Sequence, residues 1–170
     1  MFPEGNATRK GDFSMSSRLT HVEAGSGAYR AMLQLEHYVK NCGLEDSLLN
    51  LIKTRASQLN GCAYCLDMHT KDARAAGESE QRIYLLPAWK EAPFYSERER
   101  AALEWTEAVT LIAEDHVPDE VYAAVYPHFS EEELVNLTLA ISTINAWNRL
   151  NISFRTEAGS YQPANKVAHS

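Results

Sequence analysis

The segment from Ser130 to Leu150 limits what this chain can fold into more than any other. It opens on Ser130-Glu131-Glu132-Glu133, a capping box in which the first and fourth side chains satisfy backbone N–H groups that a starting helix leaves free. Leu134, Leu137, Ile141, Ile144 and Trp147 then recur every three or four residues, and the helix is apolar nearly all round. Such a helix belongs at the centre of a bundle or in a subunit interface. Ser96-Glu97-Arg98-Glu99 is a second capping box, and it predicts a helix with Ala101, Trp105, Ala108 and Ile112 as the buried stripe.

The rest of the chain follows the same period. Met32, Leu33, Leu35 and Val39 predict a helix from about Ala28 to Lys40, stopped by Gly43. Leu48, Leu51, Ile52, Ala56 and Leu59 predict another from about Glu45 to Leu59, broken by Asn60-Gly61. A motif helix runs to Ala76 and is closed by Gly77; a short helix from Ser79 to Leu86 ends at Pro87, and Asp119 caps one to about Tyr126. No strand pattern of useful length and no repeat is present. The expected class is all-α, a helical bundle with residues 1–17 as a loose N-terminal arm, 18–155 as the domain and 156–170 as a loop-like tail.

A chain of 170 residues suits one domain that buries a core without disulfide staples. Three cysteines and the lack of a signal-peptide pattern predict a reducing compartment, the cytoplasm by default. A formal net charge of −7 argues against a nucleic-acid or anionic-membrane surface, and the apolar runs are too short to span a bilayer.

Chemistry concentrates in Gly61-Cys62-Ala63-Tyr64-Cys65-Leu66-Asp67-Met68-His69. On a helix starting near Cys62, residues 62, 65 and 69 share a face, so a thiol pair and an imidazole form one stripe. The reactive species is the thiolate, which a helix N-terminus, a cation or a neighbouring base favours. Cys62 sits where unpaired N–H groups favour an anion, while Cys65 lies one turn from His69, which can take its proton. The helix-start position also leaves open that Cys62 is the more acidic and more exposed thiol. Zinc is the competing chemistry, but a closed site needs a fourth ligand, and Cys42, His37, His116 or His128 would supply one only by accident of folding. Thiol redox is therefore the favoured reading, with no metal and no bound cofactor expected. Asn145, Asn148 and Arg149 read as structural polar groups, and Tyr84 and Trp89 as either core aromatics or the lining of an apolar pocket.

Residues Arg55 to His69, RASQLNGCAYCLDMH, resemble the signature of AhpD-like alkylhydroperoxidases of the carboxymuconolactone decarboxylase family. Ala88-Trp89, Pro93-Phe94, Ser96 to Leu103 and Ile144 to Arg149 resemble further segments of that group, over roughly residues 20–155. The resemblance implies an all-helical protomer built around a helical hairpin and assembled as a homotrimer or homohexamer. It implies reduction of hydroperoxides, with Cys65 as the peroxide-attacking sulfur, Cys62 as the resolving one, His69 as the base, and a dithiol or lipoyl protein as the reductant. Where the family's proton relay begins with a glutamate, this chain has Asn50, and Tyr64 stands where the best-known members carry a histidine. Asn50 and Tyr64 are thus expected to position water or serve a relay completed by another acid, such as Glu45 or Asp67; otherwise the protein is expected to be a slow peroxidase. Alternatively, Asn50, Lys53, Thr54 and Ser57 form a plain solvated stripe. A decarboxylase-like enzyme of aromatic catabolism, which does not depend on a Cys-x-x-Cys pair, and a non-enzymatic redox-sensing subunit are the alternative functions.

Overall fold

A computed structural model describes residues 18–163, and the expected arm at 1–17 lies outside them. Among the described residues every regular element is helical. The elements are α1 (His21–Ala24), α2 (Ser26–Lys40), α3 (Asp46–Asn60), α4 (Ala63–Ala75), α5 (Glu80–Leu85), α6 (Glu97–Thr110), α7 (Ile112–Asp115), α8 (Asp119–Val125) and α9 (Glu131–Phe154), with 3₁₀ turns at Leu86–Ala88 and Tyr126–His128.

Helices α3, α6 and α9 pack on one another and build the centre. Leu48 and Ile52 of α3, Ala102 and Trp105 of α6, and Leu137 and Ile141 of α9 form the largest apolar cluster, joined by Val39 of α2 and Val125 of α8. Both capping boxes are present: Ser96 and Ser130 accept from the N–H of Glu99 and Glu133, and those glutamates accept the serines' own N–H groups at 2.8 Å. The apolar helix α9 is the central element that its composition demands, contacting α2, α3, α4 and α6.

Three local expectations need correction. Ile112 is not part of the α6 stripe: the backbone leaves helical geometry at Leu111, and Ile112 opens the separate turn α7 with its side chain exposed. Asp119 does not cap α8; Pro118 occupies the cap position in extended conformation, and Asp119 is the first helical residue. Tyr84 is not a core aromatic: it is 70% exposed on α5, a short helix that buries none of its own residues fully. Trp89 is core, clustered with Leu51, Leu86 and Leu103, and its Nε1 donates to Glu107 at 2.6 Å.

The hairpin that carries the motif has a two-residue link. Gly61 adopts φ +69°, the left-handed conformation that glycine reaches without strain, and the N–H of Cys62 returns to the carbonyl of Ser57 at 3.0 Å. That closure ends α3 and makes Cys62 the N-cap of α4. Residues after Phe154 are non-helical to the end of the described chain, yet they are tied down. Gly159 N–H donates to Asp67 at 3.0 Å, Lys71 donates to the carbonyl of Tyr161 at 2.9 Å, and the Tyr161 hydroxyl donates to Asp72 at 2.7 Å. The tail is thus a strap along α4. No helix of the described residues is long and apolar enough to cross a membrane.

Candidate active site

Because Cys62 caps α4, its sulfur accepts the N–H of Cys65 at 3.4 Å, and the two cysteines, with Cα atoms 5.4 Å apart, are joined as a disulfide. Both are about 1% exposed. The expectation of a more exposed Cys62 is therefore not met: α9 closes over the helix start, with Ile144 and Ala56 against both sulfurs in one cluster. It is Cys65, not Cys62, that faces open space. Together with His69 and Tyr64 it lines a cleft of about 460 Å³ bordered by α1, α2, α3, α4 and α9. Its apolar walls include Tyr29, Leu33, Leu49, Met68 and Trp147.

His69, one turn below Cys65, is 6% exposed, and its Nε2 is buried without a hydrogen-bond partner. Burial, aided by the positive charge of Lys53, pushes its pKa down from 6.5 to about 3, so the imidazole is neutral at ordinary pH. The unpartnered nitrogen can take the Cys65 proton only in passing, because so low a pKa makes the imidazole a weak base at neutral pH. The Cys65 sulfur also has a polar contact that the sequence reading did not single out: Asn151 Nδ2 approaches it at 3.6 Å while donating to the carbonyl of Trp147. The signal was the spacing of asparagines at 145, 148 and 151 along an otherwise apolar helix.

Those asparagines stitch α9 to its neighbours within the protomer. Asn60 Nδ2 donates to Asn145 Oδ1 at 2.6 Å and to Asn148 Oδ1 at 2.9 Å; Asn148 donates to Ser57 Oγ at 3.1 Å, and Asn145 to Thr110 Oγ1 at 3.1 Å. Arg149 donates to the carbonyl of Asn145.

The stripe Asn50, Lys53, Thr54 and Ser57 is not a solvated face. Lys53, Thr54 and Ser57 are buried, and Asn50 sits on the partition between the Cys65 cavity and a second one of about 480 Å³ on the Arg82 side. The acids expected to complete a relay are elsewhere. Glu45 pairs with Arg98 at 3.1 Å, and Asp67 pairs with Lys71 at 2.9 Å and accepts from Gly159. The Lys71 hydrogen bond lowers the Asp67 pKa, burial opposes it, and the Gly159 N–H adds a further lowering, so the net shift is downward. The carboxylate that does reach the cavity beside its buried lysine is Glu36 of α2, ion-paired to Lys53. No group of three or more His, Cys, Asp or Glu side chains is arranged to hold a metal among the described residues.

The chain is similar to known proteins over most of its length. The sequence model of the carboxymuconolactone decarboxylase family matches residues 27–108. The uncharacterized protein YdfG of Bacillus subtilis is 48% identical over 86% of this chain and 99% of its own length. A protein of unknown function from Agrobacterium tumefaciens, described as a candidate antioxidant defence protein AhpD, superposes with a TM-score of 0.83 at 46% identity, over 86% of this chain and all of that one. The debrominase Bmp8 shares the fold at a TM-score of 0.71 and 20% identity, over 82% of this chain and 75% of its own. With the helical hairpin, the capped Cys-x-x-Cys pair and these relatives in view, the chain belongs to the AhpD-like carboxymuconolactone decarboxylase family.

Proposed function

We propose that the protein is a thiol-dependent hydroperoxide reductase acting through Cys65, Cys62 and His69. The observation that carries the reading is the placement of a two-cysteine disulfide, one of its sulfurs beside an unpartnered neutral imidazole, on the wall of a largely apolar cavity.

In the reduced protein, His69 Nε2 accepts the Cys65 proton, and the sulfur attacks the nearer peroxide oxygen. A sulfur–oxygen bond forms, the oxygen–oxygen bond breaks, and the departing alkoxide takes a proton from water as alcohol, leaving Cys65 as sulfenic acid. Cys62, held near Cys65 by the α4 N-cap, then displaces the hydroxyl as water and closes the disulfide. Asn151 fixes the Cys65 sulfur by its amide, and Asn50 and Tyr64 orient water at the cavity wall. Walls formed by Tyr29, Leu33 and Trp147 suit an organic hydroperoxide better than hydrogen peroxide.

Two electrons must return from a dithiol. With both sulfurs buried, an extended dithiol arm such as a lipoyl group on its carrier protein fits access through the cavity better than a broad protein face. A cytoplasmic setting and a homotrimer or homohexamer complete the reading.

Stopped-flow mixing of the reduced protein with hydrogen, tert-butyl and cumene peroxides tests it. Cys62→Ser should consume about one equivalent and stop at sulfenic acid, Cys65→Ser should be inert, and His69→Ala should slow the reaction by about 10²-fold. Retained peroxide consumption by Cys65→Ser overturns the assignment.

A further inference from the structure

A lysine that is 6% exposed is unusual, and this one lines the same cavity as the reactive sulfur. Lys53 comes from α3 and its partner Glu36 from α2, so the pair bridges two helices at the cavity wall. Other charged or titratable groups face the cavity too. They are His21 of α1, Tyr29 and Lys40 of α2, Asp46 of α3, and Tyr64, His69 and Asp72 of α4; α9 contributes only the uncharged Trp147 and Asn151. Among the ionic ones, only Lys53 and His69 are buried. An ion in a poorly hydrated place acts on its neighbours far more strongly than one at the surface; at His69 burial is the main cause of the lowered pKa, and the Lys53 charge adds to it.

We propose that Lys53, positioned by Glu36, is the fixed positive charge that keeps the Cys65 sulfur anionic in the reduced protein, in place of a carboxylate-driven relay through position 50. The proposal rests on Cys65 being the reacting sulfur. Lys53 takes no part in the bond changes. It favours the thiolate and disfavours a standing charge on His69, so the thiol proton passes through the imidazole to solvent as the thiolate forms, and the departing alkoxide is protonated by water entering the cavity. Sulfur loses two electrons to the peroxide as the sulfur–oxygen bond replaces the oxygen–oxygen bond, and no other oxidant is needed. Glu36 has two opposed effects: it anchors the ammonium, and it offsets part of its charge.

This assignment makes predictions of opposite sign for the two partners. In a Cys62→Ser background, reduced protein is alkylated with iodoacetamide across a pH series and the Cys65 peptide is quantified by mass spectrometry. Lys53→Met should raise the apparent pKa of Cys65 by about one pH unit and slow peroxide consumption at neutral pH about tenfold. Glu36→Gln should lower that pKa, because the lysine charge is no longer offset, and Lys53→Arg should restore most of the original profile. A Cys65 profile unmoved by Lys53→Met in a protein with native helicity, or shifts of the same sign for Lys53→Met and Glu36→Gln, would show that the pair only bolts α2 to α3. Should Lys53→Met fail to fold, Glu36→Gln decides alone: a raised or unchanged Cys65 pKa overturns the proposal. Alkylation reads the thiol and not the peroxide. A shifted profile without peroxide turnover therefore upholds the role of Lys53 and removes the peroxidase reading instead.

Discussion

The two halves of α9 solve different problems with one helix. From Leu134 to Ile141 it buries mostly hydrocarbon against α3, α6 and α8, Asn136 being the one buried amide there, and the apolar side chains are interchangeable in kind if volume is kept. From Asn145 to Asn151 it buries amides whose partners are individually specified: Thr110, Asn60, Ser57 and the Cys65 sulfur. The first half supplies most of the cohesion. The second supplies placement, because a buried amide tolerates one register and one rotamer where a leucine tolerates several. The site was thus built where the core turns polar, on the same rigid element that the core holds.

Breaking the apolar half should have the larger effect on stability. Ile141 is completely buried, and Ile141→Ala should destabilise the fold by about 2–5 kcal/mol by denaturant titration, through lost transfer energy and the cavity left behind. The Cys65 alkylation profile of the protein that remains folded should be unchanged. A changed profile would mean that the two halves are not separable.

The polar half answers differently. Asn148 is fully buried, and Asn148→Ala strands the Ser57 hydroxyl and leaves Asn60 with one acceptor fewer, at about 1–3 kcal/mol. The diagnostic readout is placement: Gly61 and Cys62 follow directly on Asn60, so the rate of disulfide reduction by dithiothreitol should rise as the α3–α4 link loosens. Equal loss of stability with an unchanged reduction rate would make the ladder mere packing.

The same division governs what could be read from sequence. Leu134, Leu137 and Ile141 announce themselves by period, and Ser96, Ser130 and Gly61 by local backbone chemistry, because these signals need no knowledge of what lies opposite. Cys62, Cys65 and His69 were legible because they lie within eight residues on one helix. Asn151, Glu36 and the inward face of Lys53 were not, since their roles depend on α2 and α9 meeting α4, which spacing within one helix cannot express. The polar stripe at Asn50, Lys53 and Ser57 has the pattern of a surface and the environment of a core, and only the packed helices distinguish the two.

His69 sharpens the comparison through pH. An unfolded histidine takes a proton near pH 6.5, whereas in the folded disulfide form His69 does so only near 3. Between those values the unfolded state binds a proton that the folded state does not. The stabilising contribution is therefore intact above about pH 6.5 and is lost as the pH falls toward 3, at up to about 1.4 kcal/mol per pH unit. Chemical denaturation across that window should show the slope, and His69→Gln should remove most of it. A variant with an undiminished slope would place the acid sensitivity in other groups.

The smallest effect is expected where the tail crosses α4. The Tyr161 hydroxyl donates to Asp72, and its pKa is raised from 10.0 to about 12, first by burial and then by that carboxylate. A raised folded-state pKa means the contact contributes fully below about pH 10 and is lost as the pH climbs toward 12. Partial exposure limits its worth to about 1 kcal/mol or less. Tyr161→Phe should therefore leave the midpoint of global unfolding nearly unchanged at neutral pH while speeding hydrogen exchange in the strap at residues 156–163. Lys71 still binds the carbonyls of Gly159 and Tyr161 in that variant, so the strap should loosen rather than detach. If the variant instead unfolds several kilocalories per mole earlier, the strap at residues 156–163 is part of the cooperative core that α9 holds.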